Sequence, residues 1–362
     1  MSFKIALFFI PALIFFAGCV QDKTEKSPDS AYRVLLLGDL HFDRPEYHSK
    51  PAPSPKAAQE RKCYLAMWKN GASERMLSIA AKSVKQDMPF VIQLGDLIQG
   101  DTDDDAAHCA AFTDAVGMIK KYIPDKTLLL IKGNHDIRGG SGRDGNAVRN
   151  VFPSLIGKEL GKTPSSGANY VVRQGKDLFI AYDHYVSGSS KHIRKALAEN
   201  SGCRYVFLLT HPPFFPCMKT GFPGVLYPEY KELLELFKKH NVIILAAHIH
   251  MFSHIAHKDA DGEVRQVTVT SIGHENWDKK DAFRSLRFGS YQELLSQIRP
   301  VFFTVPETVA GLNFFKNVDF ATYKVWRTPR YGFGVLDISD TGVRLHFHVD
   351  NSGIPAETVT LR

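Results

Sequence analysis

Cysteine is scarce in this sequence, and neither sign of charge dominates it. Five cysteines in 362 residues are too few for a disulfide scaffold. The 45 lysines and arginines exceed the 38 acidic residues by only seven, so the charge alone does not imply a nucleic-acid partner. Hydrophobic residues make up 44% and charged residues 23%, which are ordinary globular proportions and exclude a disordered, collagenous or coiled-coil protein.

The N-terminus carries a short apolar run, Ile5–Phe16, preceded by Lys4. This run is too short to span a bilayer comfortably, which takes about 20 apolar residues, but it fits the core of a signal peptide. It leads into Ala17-Gly18-Cys19, which resembles a bacterial lipobox. The resemblance implies cleavage before Cys19 and attachment of lipid to its sulfur, in a bacterial cell envelope. A plain secretory signal with an incidental cysteine is the alternative.

Four cysteines would remain beside Cys19, and an even number in an exported protein permits two disulfides. They are Cys63, Cys109, Cys203 and Cys217. The sequence does not fix their pairing, although Cys203 and Cys217 flank one apolar segment and form the favoured pair.

Short apolar runs, of the kind that form strands buried on both faces, alternate with helical patterns along the chain. The runs are Arg33–Leu37, Phe90–Leu94, Leu128–Ile131, Tyr205–Leu209 and Val242–Ala246. The helical patterns are Glu74–Gln86, Asp104–Lys121, Lys191–Asn200 and Pro228–His240. Alternation of this kind predicts βαβ units and a layered α/β fold.

Aspartate, histidine or asparagine follows each of these runs at once. The residues are Asp39, His41, Asp96, Asn134, His135, His211, His248 and His250. In open α/β sheets, ligands bind beyond the carboxyl ends of the strands, so we expect these side chains to converge on one rim.

The chemistry of this set points to metal ions. Two carboxylates, several imidazoles and one amide suit zinc, iron, manganese or cobalt rather than calcium. They are too many for one tetrahedral ion, whereas two ions that share a carboxylate would use them all. Two divalent ions, two aspartates and a bridging hydroxide would leave about one positive charge, which suits a phosphate group.

The order of these motifs along the chain resembles the calcineurin-like metallophosphoesterases. The motifs are Asp39-Leu40-His41, Gly95-Asp96, Gly133-Asn134-His135-Asp136, His211 and His248-Ile249-His250, and the resemblance runs from about Tyr32 to Gly273. It implies a four-layer α/β/β/α sandwich, in which two central mixed sheets are flanked by helices.

The resemblance also implies a role for each residue. The first metal would be held by Asp39, His41 and His250, the second by Asn134, His211 and His248, and Asp96 would bridge both. His135 would contact the substrate phosphate and protonate the leaving group, because an imidazole is suited to proton transfer near neutral pH. A hydroxide that bridges the two divalent metals (manganese, iron or zinc) would attack the phosphorus.

Some positions depart from the family's usual pattern. Ala247 replaces the usual glycine of the last motif, which predicts a negative φ there. Gln99 stands where a purple acid phosphatase would have tyrosine, which argues against that subfamily. The insertion Pro45–Gly71 directly follows the first motif, so we expect it to overhang the site. His184, after the apolar run Leu178–Ile180, is a further candidate for substrate binding beside Asn134, or else a structural histidine.

The C-terminal part of the chain is less informative. Tyr331–Ile338 and Gly342–Val349 predict a strand pair that completes the second sheet. Residues 276–330 mix helical pieces with aromatics, which fits either core packing or a cap over the site. The predicted organisation is a signal peptide (1–18), a lipidated cysteine with a flexible tether (19–31), a catalytic domain (32–275) and a C-terminal extension (276–362).

Together these features predict an exported, lipid-anchored phosphoesterase that hydrolyses phosphate mono- or diesters. A metal-binding envelope protein without turnover is one alternative. A nucleic-acid phosphodiesterase is another, which the lack of a dense Lys/Arg stripe disfavours.

Overall fold

The computed structural model describes most of the chain. The described residues are 31–139, 142–143, 147–165, 167–215, 217, 229–273, 286–288, 325–328 and 331–362. The predicted signal peptide, Cys19 and the tether up to residue 30 lie outside them, as does most of the segment 276–330. Among the described residues, no helix is long and apolar enough to cross a membrane.

The elements follow one another in the alternating order that the sequence predicts. The strands are β1 (Tyr32–Leu37), β2 (Phe90–Gln93), β3 (Thr127–Leu130), β4 (Arg138–Gly139), β5 (Gly142–Arg143), β6 (Tyr170–Gln174), β7 (Asp177–Ala181), β8 (Val206–Leu209), β9 (Ile243–Ala246), β10 (Phe252–Asp259), β11 (Gly262–Thr268), β12 (Leu286–Phe288), β13 (Val325–Thr328), β14 (Phe333–Ser339), β15 (Gly342–His348) and β16 (Glu357–Thr360). The α-helices are α1 (Pro55–Lys69), α2 (Ala72–Lys82), α3 (Asp105–Tyr122), α4 (Phe152–Leu160), α5 (Ser190–Glu199) and α6 (Glu229–Lys239). A 3₁₀ turn at Pro45–Tyr47 precedes α1, and a π-helical turn at Ala147–Val151 leads into α4.

The strands form two mixed sheets, besides the short hairpin of β4 and β5. The first sheet has the order β16-β15-β14-β1-β2-β3, and its strands β1, β2 and β3 are parallel. The second sheet has the order β12-β13-β10-β11-β9-β8-β7-β6, in which β7, β8 and β9 are parallel.

Side chains of the second sheet alternate between two cores, since successive residues of a strand point to opposite faces. Phe179 and Phe207 belong to the core that also contains the first sheet, α2 and α3. Ile180 and Leu208 pack in the other core, with α5 and α6. This packing produces the predicted order of layers, and the four-layer fold class is confirmed.

All five predicted strands are confirmed, as β1, β2, β3, β8 and β9, and the four predicted helices are confirmed as α2, α3, α5 and α6. Helices α1 and α4 are additional, and α1 occupies the predicted insertion Pro45–Gly71. The predicted C-terminal strand pair is present as β14 and β15.

The C-terminal strands divide between the two sheets. Strand β14 pairs with β1, whose other edge is taken by β2, so β14 to β16 extend the first sheet. Strands β12 and β13 lie at the edge of the second sheet, where β13 pairs with β10. The extension therefore contributes to both sheets rather than completing one.

The favoured disulfide is wrong, because no disulfide joins Cys203 to Cys217, and Cys63 and Cys109 form none either. Cys203 precedes β8 and Cys217 follows it, so the length of the strand separates them. The Cys203 thiol donates a hydrogen bond of 3.2 Å to the carbonyl oxygen of Asn200, and Cys217 is buried in the core that α5 and α6 cover.

Candidate metal centre

The register of the two sheets aligns the ends of the parallel strands. In the first sheet the paired ends are Leu37, Gln93 and Leu130, and in the second they are Ala181, Leu209 and Leu245. The loops that follow start from these aligned positions and carry the predicted polar residues. The rim expected from the sequence is therefore present at the carboxyl ends of the strands.

Four of the predicted ligands have left-handed backbone conformations. The φ angles are 44° at His41, 50° at Asp96, 71° at His248 and 51° at His250. Such conformations cost about 1–3 kcal/mol in non-glycine residues and concentrate at functional sites. Ala247 is not among the residues with positive φ, which confirms the prediction for an alanine in the place of the usual glycine.

Two glycines of the motifs allow the loops to approach one another. Gly95 has a φ of 96°, and a Cβ atom there would overlap the ring of His211. A Cβ atom on Gly133 would overlap Asp96. Only glycine fits these positions without displacing a candidate ligand.

The first group of ligand atoms consists of Asp39, His41, Asp96 and His250, whose atoms lie within 4.8 Å of one another. His41 Nε2 and His250 Nε2 are 3.0 Å apart. Asp39 Oδ1 lies 3.4 Å from His250 Nε2, and Asp96 Oδ2 lies 3.7 Å from His41 Nε2. Four donor atoms at such separations could surround one metal ion.

The second group consists of Asp96, His211 and His248, also within 4.8 Å. His211 Nε2 lies 3.3 Å from Asp96 Oδ2 and 3.1 Å from His248 Nδ1. Asn134 Oδ1 also lies 3.1 Å from His211 Nε2. His211 donates its Nδ1–H to the carbonyl oxygen of Leu94 over 2.8 Å, which leaves Nε2 for a ligand. Asp96 belongs to both groups.

The donor set fits divalent metal ions. Asp39 Oδ1 is buried without a hydrogen-bond partner. The Nε2 atoms of His41, His211 and His250 nevertheless lie 4.0, 3.9 and 3.4 Å from it. A cation among these atoms would satisfy the buried oxygen, and carboxylate oxygens with imidazole nitrogens suit zinc, iron or manganese.

The electrostatics of the site centre on Asp96. Burial alone would raise the pKa of Asp96, but the imidazoles of His211, His135 and His41 outweigh burial and hold it well below its usual range. Burial likewise opposes protonation of His211, yet Asp96 raises the pKa of His211 to about 9. The shared carboxylate is therefore anionic at neutral pH.

His135 lies next to the ligands but belongs to neither group. Its backbone N–H donates to Asp96 Oδ1 over 2.7 Å, and its Nδ1–H donates to the carbonyl oxygen of Gln99 over 2.8 Å. Its ring meets the ring of His41 edge-on, with centroids 4.5 Å apart. Burial lowers the pKa of His135, against the opposing effect of Asp96. The ring is thus oriented by Gln99, with Nε2 as its remaining nitrogen.

His184 follows β7 on the same rim. Its Nδ1 is buried without a hydrogen-bond partner, and its ring lies 5.2 Å from that of Tyr185. Burial lowers the pKa of His184 to about 4. His184 belongs to neither ligand group.

Several residues that contact the site were given no role in the prediction from the sequence. Asp136 accepts hydrogen bonds from the backbone N–H groups of Gly133 (2.7 Å) and Ile98 (3.1 Å), and so holds the loop of Asn134 and His135. Tyr64 and Trp68 of α1 contact His41. Their helix has a recognisable start, Ser54-Pro55, in which the Ser54 side chain accepts from the backbone N–H of Ala57 over 3.1 Å.

The protein-family model for the calcineurin-like phosphoesterases matches residues 32–252 of the chain. This range includes every predicted metal ligand and His135. No curated protein is similar to the chain at a significant level.

Solved structures share the fold at low sequence identity. The structure of PhoD has a TM-score of 0.52 at 9% identity, over 91% of this chain and 68% of that chain. GAP50, the anchor in the inner membrane complex of Plasmodium, has a TM-score of 0.50 at 13% identity, over 92% of this chain and 89% of its own. A dimetal phosphatase from Danio rerio has a TM-score of 0.47 at 12% identity, over 92% and 99% of the two chains.

Proposed function

This chain belongs to the calcineurin-like phosphoesterase family, and we propose that it hydrolyses phosphate mono- or diesters with two divalent metal ions held at the carboxyl ends of its strands. The observation that carries the proposal is the pair of ligand groups that share Asp96. A shared carboxylate is what a site for two closely spaced ions requires.

Seven side chains would hold the two ions. Asp39, His41 and His250 would hold the first, Asn134, His211 and His248 the second, and Asp96 both. Two divalent ions bound there would supply positive charge to the phosphoryl group and lower the pKa of water, which is the nucleophile of a hydrolysis. Zinc, iron and manganese all suit these donors.

His135 would donate a proton to the leaving group. Its Nδ1–H is engaged by the carbonyl oxygen of Gln99, so Nε2 is the atom that would deliver a proton to the departing oxygen. Asn134, whose Oδ1 lies 3.1 Å from His211 Nε2, and His184, in the loop after β7, would orient the substrate phosphate.

The first experiment compares two small esters on the purified protein, stripped of metal and reloaded with manganese, zinc or iron. Hydrolysis of p-nitrophenyl phosphate is measured beside that of its bis ester, for the wild type and for Asp96→Asn, His135→Ala and the control His240→Ala. His240 follows α6 at the opposite end of the second sheet. Loss of an acid–base group lowers kcat by about 10²- to 10⁴-fold, so we expect that loss for His135→Ala.

The outcomes separate an enzyme from a binding protein. Turnover of one ester that Asp96→Asn abolishes and His240→Ala preserves would support the proposal, and the preferred ester would assign a monoesterase or a diesterase. Two retained metal ions without hydrolysis of either ester would instead favour the metal-binding envelope protein without turnover.

We also propose that the protein is exported and lipid-anchored in a bacterial envelope. The run Ile5–Phe16 followed by Ala17-Gly18-Cys19 supports this. Fractionation of cells that express the full chain tests it, because Cys19→Ser should move the protein from the membrane fraction to the soluble fraction. An unchanged distribution would contradict the anchor.

A further inference from the structure

Helix α1 packs directly against one predicted ligand of the first metal position. The ring of Tyr64 stacks on the ring of His41, with centroids 4.1 Å apart and planes 19° from parallel. One turn later in the helix, Trp68 Nε1–H donates a hydrogen bond of 2.8 Å to the carbonyl oxygen of His41. Residues four apart lie on the same face of a helix, so one face of α1 reaches both the side chain and the backbone of His41.

His41 has two conformational features that need support. Its backbone φ of 44° lies in the left-handed region, which a non-glycine residue adopts at a cost and which surrounding contacts must maintain. The direction of Nε2 also depends on the tilt of its ring. The Trp68 hydrogen bond holds the backbone, and the stacked Tyr64 ring, itself 2% exposed, holds the tilt.

An ion pair also holds α1 beside the site. Glu60 pairs with Arg138 over 2.8 Å, and Arg138 donates its backbone N–H to the carbonyl oxygen of His135. Because of this ion pair, a change at Tyr64 alone leaves a link between α1 and the loop of His135. Tyr64 also meets the ring of His135 edge-on, with centroids 6.3 Å apart, but His135 belongs to neither ligand group. An effect of such a change on metal binding can then be assigned to the contact with His41.

We propose that Tyr64 and Trp68 are positioning residues for His41, and that α1 thereby sets the metal affinity of the first position separately from the second. This inference rests on the metal centre of the proposed function. The second position has its own support, because the bond from Nδ1–H to the carbonyl oxygen of Leu94 orients His211. Loss of α1 contacts should therefore weaken one ion and not the other.

Cobalt(II) is the probe for this inference, since its binding is measured without any ester. The full chain is stripped of metal and titrated with cobalt, and bound metal per chain and the visible absorption spectrum are recorded. The variants are Tyr64→Leu, Tyr64→Phe and Trp68→Phe. Tyr230→Leu is the matched control, because Tyr230 of α6 is also fully buried but lies in the other core.

Mutation of a residue that orients a metal ligand typically lowers the affinity for the metal by about 10- to 100-fold. We expect Tyr64→Leu to weaken the first ion by that factor, so that about one ion per chain remains where the wild type holds two, with a changed spectrum. Tyr64→Phe keeps the stacked ring and should still hold both ions. Trp68→Phe keeps its packing against Phe42 (ring centroids 4.8 Å apart) but loses the hydrogen-bond donor to His41, so it should weaken the first ion.

Two results would overturn the inference. One is wild-type cobalt binding by both Tyr64→Leu and Trp68→Phe. The other is an equal loss of one ion in Tyr230→Leu, which would show a general effect of lost packing. A wild type that binds two ions yet hydrolyses nothing would contradict the proposed function alone, because the comparison of cobalt binding would still decide the role of α1.

Discussion

His108 is a buried histidine that supports the backbone of the metal centre without facing it. Its Nε2–H donates to the carbonyl oxygen of Asp136 over 2.9 Å, and its ring stacks on Phe112 with centroids 4.8 Å apart. Burial lowers the pKa of His108 from 6.5 to about 4. The folded protein therefore keeps this imidazole neutral under conditions in which the unfolded chain protonates it.

The contribution of His108 to the stability of the metal-free protein should fall as the pH drops from 6.5 towards 4. In this window the unfolded state binds a proton at His108 and the folded state does not, so the free energy of unfolding decreases; below about pH 4 the group adds nothing further. Between pH 7 and pH 5 the loss from this group is about 2 kcal/mol. Urea unfolding of the wild type and of His108→Gln at both pH values measures it.

His184 and His254 are also buried histidines whose pKa burial lowers to about 4, so they add to the loss, whereas His211, with a pKa raised to about 9 by Asp96, and Asp136, with a pKa raised to about 7 by burial, oppose it. The decisive quantity is the difference between the two proteins, and His108→Gln should lose less stability on acidification. Equal losses would show that His108 is not kept neutral by the fold.

At the scale of residues, the candidate metal ligands could be selected from the sequence because each lies just after an apolar run. Their orientation was not, because it depends on contacts far away in the sequence. The stacking of Tyr64 on His41 and the hydrogen bond from His135 to Gln99 join different elements or loops. No spacing of residues reports such contacts.

At the scale of elements, a buried ion pair joins the two sheets beside the site. Lys132 Nζ lies 2.7 Å from Asp183 Oδ2, and the two side chains are 4% and 0% exposed. Lys132 follows β3 of the first sheet and directly precedes the loop of Gly133 and Asn134. Asp183 follows β7 of the second sheet and directly precedes His184. The pair therefore holds two loops of the rim at a fixed separation.

Lys132→Met should destabilise the protein by about 3–5 kcal/mol, because it leaves the Asp183 carboxylate buried without its cation. The double variant Lys132→Met/Asp183→Asn removes that charge and should recover part of the loss. The backbone N–H groups of Ala168 and Tyr185 now donate to different oxygens of the carboxylate, over 2.9 and 3.0 Å. The single oxygen of the new amide would accept from one of them only, so the recovery should be incomplete. Urea unfolding at pH 7 compares the three proteins, and a double variant less stable than Lys132→Met would contradict this interpretation.

Helix α1 illustrates why an element can escape prediction from sequence. Its buried residues are Ala57, Glu60, Tyr64 and Met67, a mixture of polar and apolar side chains. Glu60 is buried because it pairs with Arg138, and Tyr64 because it covers His41. Such a face lacks the apolar stripe by which amphipathic helices are recognised. The insertion Pro45–Gly71 was expected to overhang the site, and its helix α1 packs against His41.

At the scale of the whole molecule, the parallel strands were the predictable part of the fold. Strands β2, β8 and β9 are buried throughout, and continuous burial leaves an apolar run in the sequence. The assignment of the C-terminal strands to sheets was not predictable, because strand pairing between residues as distant as Tyr32 and Ile338 leaves no local signal.

The central claim is that one carboxylate, Asp96, joins two metal positions. Anomalous diffraction from crystals of the manganese-loaded protein tests it most directly. We predict two anomalous peaks about 3.5–4 Å apart, both in contact with Asp96. One peak should lie beside His41 and His250, and the other beside His211 and His248. A single peak, or two peaks of which only one touches Asp96, would contradict the claim.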